Sequence, residues 1–193
     1  AAGPAYEAIV GAGANALILH YISNHEVCED GDLLLVDFAP EVDHYITDIT
    51  RTWPVNGKFT ERQAEIYDCV LAAQKAAIAA VKPGVTIRDV QKAAMDVIED
   101  HGMRDLVRHG FFHFVGMEVH DVGGMRGELE VGMAFTIEPG LYELETSIGI
   151  RIEDVVVVTE DGCINLSKSC PREREEIEAI VGSAGILDAM DGR

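Results

Sequence analysis

A chain of 193 residues with 48% hydrophobic side chains is long enough to bury a core and too apolar to be disordered. Its formal charge of −19 argues against nucleic acid or anionic membrane as a partner, since both demand basic surface. No apolar run approaches the ~20 residues that span a bilayer. The four cysteines (Cys28, Cys69, Cys163, Cys170) lack C-x-x-C spacing and suit reduced thiols in a cytoplasmic protein.

In chain order, Ala5 to Val10 is short, apolar and glycine-bounded, which predicts a strand. GAGANA then leads into ALILHY, a second predicted strand ending at His20. GDLLLVDFAP and HYITDITRTWPV are β-rich runs joined by EVD, a predicted hairpin. Thr60 with Gln63 forms a capping-box pattern that opens a helix running to Lys82-Pro83-Gly84. Thr86 with Asp89 opens a second helix, closed by His101 and Gly102. VRHGFFHFVGMEVHD, GMAFTIEPGLYE and GIRIEDVVVVTEDG read as strand-like, the last two joined by a turn around Glu145 and Thr146. A final helix is predicted over REREEIEAIVG, with Pro171 in its first turn and Gly182 at its end. The tail 183–193 has no strong pattern and is expected to be mobile.

The order contains a repeat. EDGDLLLVDFAP and LEVGMAFTIEPG match, with Gly31 to Asp37 and Gly132 to Glu138 both six residues apart. Each half has a His (His20, His120), a glycine turn, a strand bearing an acid (Asp37, Glu138) and a return strand bearing another (Asp48, Glu153). This self-similarity predicts two related β-units about a pseudo-two-fold axis, with a site between them. Two helices precede the second unit and none precedes the first, and the sequence opens without Met. Both features lead to the expectation of a processed or N-terminally truncated chain.

An aspartate inside LLLVDFA is costly unless something compensates it. A two-residue turn at Val42-Asp43 would set Asp37 directly opposite Asp48, and a turn centred on Glu145-Thr146 would set Glu138 opposite Glu153. Like charges so placed, with Cβ atoms ~5 Å apart, destabilise a sheet unless a cation lies between them. Hard oxygen donors with an added imidazole point to Mn²⁺, Co²⁺ or Zn²⁺, and four carboxylates with one histidine suffice for two ions. His109, His113 and His120 crowd into HGFFHFVGMEVH, where a buried imidazole wants a metal or substrate as partner. His25, His44 and His101 read as ordinary solvated or helix-end residues.

Taken together, ILHY, LLLVDFAP, ITDITRTWPVNGKFT, HGFFH, VHDVG, TIEPGLY and GIRIEDVVVVTEDG resemble the metallopeptidase family of Xaa-Pro aminopeptidase, Xaa-Pro dipeptidase, methionine aminopeptidase and creatinase. DITRTWPVNGKFT, TIEPGLY and GIRIED are most similar to the Xaa-Pro aminopeptidase branch. The resemblance implies an α+β pita-bread fold in a single metallopeptidase catalytic domain over 1–193. It implies a dinuclear centre, Mn²⁺ first, with Co²⁺ or Zn²⁺ as alternatives. Asp37, Asp48, His113, Glu138 and Glu153 match the family's ligands, with Asp48 and Glu153 bridging. His20, His109 and His120 match substrate-side histidines, and Arg151 with Tyr142 a pair beside the bridging carboxylate.

The implied reaction is hydrolysis of the bond between an N-terminal residue and proline in short peptides. A hydroxide between the two ions would attack, with Glu138 carrying the proton and His120 donating to the tetrahedral intermediate. A homo-oligomer is implied for the full-length form. An Xaa-Pro dipeptidase, a creatinase-like hydrolase and a catalytically inactive binding module are the alternatives.

Overall fold

The computed structural model describes residues 2–124, 126–185 and 190. Strands β1 (Gly3–Pro4) to β6 (Thr50–Pro54) form the first unit, with β2 (Ile9–Ala12), β3 (Leu33–Asp37), β4 (Pro40–Val42) and β5 (Tyr45–Ile46) between them. The second unit holds β7 (Ala134–Ile137), β8 (Gly140–Glu143), β9 (Ile148–Arg151), β10 (Asp154–Val158) and β11 (Cys163–Asn165). Strand orders β2-β3-β6 and β1-β4-β5 in one unit answer β7-β10-β11 and β8-β9 in the other. Each unit is thus a long hairpin broken in the middle. Asp37 ends β3 and Glu138 follows β7, while Asp48 and Glu153 occupy the breaks in the two return strands.

The second hairpin has the predicted register: Gly140 faces Arg151 and Ile137 faces Asp154, the frame that aligns Glu138 with Glu153. The first is offset. Val42 pairs with Tyr45, so the turn residues are Asp43 and His44, and Asp37 faces Thr50 rather than Asp48. The cause is local. Both turn residues take positive φ (51° and 70°), as a twisted two-residue hairpin requires, and β-branched Val42 resists that conformation where Asp tolerates it. Asp48 remains on the Asp37 face, because Thr50 lies two residues beyond it on the return strand.

Other expectations need correction. Of the strand expected over Ala5–Val10 only Ile9 and Val10 are in one, as the start of β2, and Tyr6 lies in the gap between β1 and β2 with its hydroxyl turned to Asp37 and Asp48. ALILHY is not a strand. Gly13, at φ 52°, starts a 3-10 turn over Gly13–Leu17 whose Ala16 carbonyl lies against the bare Cα of Gly149 on β9. VRHGFFHFVGMEVHD runs beside β7 with a single bridge, Phe114 to Phe135, because the His113 amide donates to the Thr136 hydroxyl instead of a carbonyl. The last helix, α3, spans Arg174–Val181, so Pro171 precedes it. The Pro171 and Cys170 carbonyls instead accept from Arg51, which diverts this segment from helix. Of the tail, 186–189 and 191–193 lie outside the described residues.

Helices α1 (Glu61–Ala80) and α2 (Ile87–Asp100) both open on complete capping boxes, at Thr60/Gln63 and Thr86/Asp89. They pack on each other, and α1 packs on β7, β8 and β9. The main core lies between them, with Ile66, Tyr67, Phe135, Ile137, Leu141 and Ile150 fully buried. In the first unit the core cluster is Ile9, Ala16 and Leu35, with Tyr21 against it. Among the described residues no helix is long and apolar enough to cross a membrane.

Candidate metal centre

The four breaks in the two hairpins converge on one cavity of about 450 Å³. Its lining includes Asp37, Asp48, His113, Glu138, Glu153, His20, His109, His120 and Arg151, while Tyr142 lies just behind. His25, His44 and His101 lie elsewhere: His25 and His44 sit beside Glu26 and Glu41, and His101 caps α2.

His113 sits at the middle of the acids. Its Nδ1 is 3.1 Å from the Phe114 carbonyl, which can only accept, so the ring's N–H belongs there. Nε2 then faces Asp48 Oδ2 at 3.4 Å, Glu138 Oε1 at 3.5 Å and Glu153 Oε1 at 3.9 Å. A lone pair aimed at three carboxylates is repulsive unless a proton or a metal ion sits among them. Burial opposes a charge on His113, but its hydrogen bond to Asp48 and the charges of Glu138 and Asp48 outweigh this and raise its pKa.

Tyr6 poses the same problem. Its single hydroxyl proton is shared between Asp37 Oδ1 and Asp48 Oδ1, each 2.6 Å away. Burial first, then the two carboxylates, hold this phenol protonated. One proton cannot satisfy two ionised acids. Burial likewise raises the pKa of Asp37, pushes Glu138 up to about 7 and moves Glu153 well above the ordinary carboxylate range. One ligand atom each from Asp48, His113 and Glu153 lies within 4.8 Å of the others. This excess of buried acceptor oxygens over donors, with an imidazole nitrogen pointed among them, fits divalent cations.

The surrounding residues are aimed at the acids from the opposite unit. Arg151 Nη2 donates to Asp37 Oδ2 at 2.8 Å, so the carboxylate it holds is Asp37 and not the Asp48–Glu153 pair. Its Nη1 donates to the Tyr142 hydroxyl at 3.0 Å, and that hydroxyl lies 2.9 Å from His109 Nε2. His109, lowered to about 4 chiefly by burial, is neutral, and its Nδ1 lies 2.7 Å from the Gly110 carbonyl. The chain therefore has one direction: Arg151 donates to Tyr142, Tyr142 to His109, and His109 to the backbone. His120 stands edge-on to His113 with ring centroids 4.3 Å apart, and the His20 ring is 6.4 Å from it.

Three contributors escaped the sequence reading. Tyr6 was hidden in a predicted strand. Thr50 donates to Glu153 Oε2 at 2.6 Å and accepts from Arg151 Nε at 3.1 Å. The alternation Asp48, Thr50, Thr52 was a usable signal for it, since all three share one face. Arg51 points the other way, donating to the Glu153 carbonyl at 2.7 Å and to Asp154 Oδ1 at 2.7 Å.

The model of metallopeptidase family M24 matches residues 1–160. The Xaa-Pro aminopeptidase of Escherichia coli (strain K12) is 40% identical over 211 residues, covering 94% of this chain and 48% of its own length. A solved structure of a putative aminopeptidase P from Bacillus anthracis superposes with a TM-score of 0.89 at 42% identity, over 92% of this chain and 45% of its own. Aminopeptidase P from E. coli with the inhibitor Pro-Leu gives 0.85 at 40% identity, over 93% of this chain and 48% of its own. The architecture shared with these structures is the α+β pita-bread fold. The chain spans about half the length of the relatives it matches.

Proposed function

The chain belongs to metallopeptidase family M24, and on that premise we propose that it carries the site of a metal-dependent exopeptidase releasing an N-terminal residue that precedes proline in short peptides. The observation that carries this reading is His113 Nε2 held within 4 Å of oxygens from Asp48, Glu138 and Glu153. The names of the relatives, and the Pro-Leu inhibitor in one of them, support the choice of substrate.

Asp37, Asp48, His113, Glu138 and Glu153 would hold two divalent ions, with Mn²⁺ suited to this mixture of carboxylate and imidazole. When bound, the ions supply Lewis acidity, lowering the pKa of water and polarising a carbonyl. The chain's own residues do the rest. Glu138, which faces His113 at the middle of the cluster, would accept a proton from water and return it to the leaving nitrogen. His120, at the exposed rim, can donate to the oxygen on which negative charge develops. Arg151 orients Asp37 and offsets part of the cost of its burial, and Thr50 orients Glu153 by donating to one of its oxygens. Tyr142 and the Gly110 carbonyl fix the His109 ring so that its position toward substrate is set in advance.

The test is turnover of a tripeptide X-Pro-Y, a dipeptide X-Pro and a tripeptide X-Ala-Y by protein first stripped with chelator and then reloaded with Mn²⁺. Metal-dependent cleavage of X-Pro-Y alone is expected. Cleavage of the dipeptide alone would make the protein a dipeptidase, and no metal-dependent cleavage of any would refute the proposal.

A further inference from the structure

The cavity contains one acid that the proposed centre does not use. Glu7 lines the same cavity as the candidate ligands and is exposed. The other four carboxylates there belong to the proposed centre: Asp37 accepts from Arg151 and Tyr6, Asp48 from Tyr6 and Glu153 from Thr50, while Glu138 lies 3.5 Å from His113 Nε2. Among the described residues Glu7 has no hydrogen bond or ion pair, so its charge is uncommitted.

Its backbone is not free. Asn24 clamps the segment from both sides, donating to the Ala8 carbonyl at 2.7 Å and accepting from the Val10 amide at 2.9 Å. Tyr6, its other neighbour, is anchored on Asp37 and Asp48. Glu7 is therefore an exposed, unpartnered side chain on a fixed mount. The Asn24 clamp also ties this segment to the stretch carrying Leu19 and Ile22, which line the cavity together with Ile9 and Val119. Beyond the ligands, the histidines, Gly110 and the polar tips of Tyr6 and Arg151, which are committed to Asp37 and Asp48, the lining is thus an aliphatic wall with Glu7 as its one uncommitted charge.

That combination suits a long side chain with an aliphatic stem and a cationic tip, which packs its methylenes on apolar surface while its head reaches a carboxylate. Resting on the exopeptidase reading above, we propose that Glu7 is a specificity-determining residue that favours peptides whose N-terminal residue is lysine or arginine. Two divalent ions would offset the four ligand carboxylates but leave Glu7 as a local anion. The charge of −19 adds a general pull on cationic peptides.

The experiment compares kcat/KM for Lys-Pro-Y and norleucine-Pro-Y on Mn²⁺-loaded protein at low ionic strength. The two substrates share the α-amine and the stem and differ in the tip. Glu7→Gln should lower the lysine-to-norleucine ratio about three- to fivefold, the effect of one partly solvated charge pair, and Glu7→Lys should lower it further. An unchanged ratio overturns the proposal, as does an equal fall on both substrates, which would place Glu7 on the shared α-amine or in the fold. If neither peptide is cleaved, the exopeptidase reading fails separately. Calorimetric binding of the same two peptides with the scissile amide reduced then decides for Glu7, since equal affinities for the lysine and norleucine forms would still overturn it.

Discussion

Replacing Arg51 with Met should be the most destabilising single change within reach of the site that touches no proposed ligand side chain. Arg51 is buried, and its fork serves Asp154 together with five main-chain carbonyls: Thr50 at 2.8 Å, Glu153 at 2.7 Å, Pro171 at 2.9 Å, Cys170 at 3.0 Å and Ser167 at 3.5 Å. Removing one partner of a buried ion pair costs about 3–5 kcal/mol when the other is stranded. Asp154 is not fully stranded, because Arg172 at 2.5 Å, Asn165 at 2.7 Å and Gln74 at 3.2 Å still donate to it. That argues for the low end, about 3 kcal/mol, to which the orphaned carbonyls add about 1 kcal/mol or more. Against a typical total of about 5–15 kcal/mol, this is a large fraction. Urea unfolding should show a lower midpoint at unchanged slope. Arg172→Met is the internal control: Arg172 is more exposed and donates to Asp154 and Gln74 alone, so it should cost less. A loss under about 1 kcal/mol for Arg51→Met, or the reverse order of the two variants, would refute this account of what holds 165–172 to the sheet.

Asp48→Asn removes a carboxylate charge beside His113 and should cost about a hundredfold or more in Mn²⁺ affinity, read by competition with a chelating dye. Undiminished affinity would remove Asp48 from the centre. Arg151→Lys keeps the charge but cannot serve Asp37, Tyr142 and Thr50 together, so Mn²⁺ affinity should fall about ten- to a hundredfold with the fold retained. Wild-type affinity would show that orienting Asp37 is unimportant. For pH, Glu138 binds its proton more tightly folded than unfolded, so its contribution to stability is complete below about pH 4.5 and is lost as pH rises through about 7. In chelated protein that amounts to roughly 2–3 kcal/mol between pH 5 and pH 8. Denaturation should show this loss in the wild type and its absence in Glu138→Gln; parallel pH profiles for the two would mean that Glu138 is solvated.

The features legible in the sequence are those decided within a few residues. Thr60/Gln63 and Thr86/Asp89 close their capping boxes on backbone three positions away, so both helix starts were readable. The second hairpin followed from its turn residues. The first was misplaced by one position, because the preference that decides it is the tolerance of Asp43 and His44, and not Val42, for positive φ. The four acids were visible as charges inside apolar runs. What local pattern could not show is which side chain answers each charge. Tyr6 reaches Asp37 and Asp48 across 31 and 42 residues, Thr50 reaches Glu153 across 103, and Arg51 reaches Pro171 across 120. Separations of that size depend on tertiary placement, to which periodicity is blind. Arg151 shows the limit clearly: its place beside a carboxylate was expected, yet the carboxylate it holds belongs to the other unit.

That crossing explains why a site rich in uncompensated acid can exist at all. Within each unit the acids lie on one face and repel. Across the units, Arg151 of the second neutralises Asp37 of the first, and Thr50 of the first donates to Glu153 of the second. Thr52 and Arg151 are joined through backbone and hydroxyl in both directions. Arg51 of the first unit carries its charge away from the cavity to Asp154, so two adjacent acids of the second unit, Glu153 and Asp154, face opposite environments. Glu153 therefore remains free to meet a cation, while Asp154 is spent on structure. A lone β-unit would present its acids without the other unit's donors, and burying them would cost several kcal/mol each. Assembly of the two units and formation of the site are in this sense the same event. Divalent ions, when bound, would stabilise the paired units further because the unfolded chain offers no comparable ligand set.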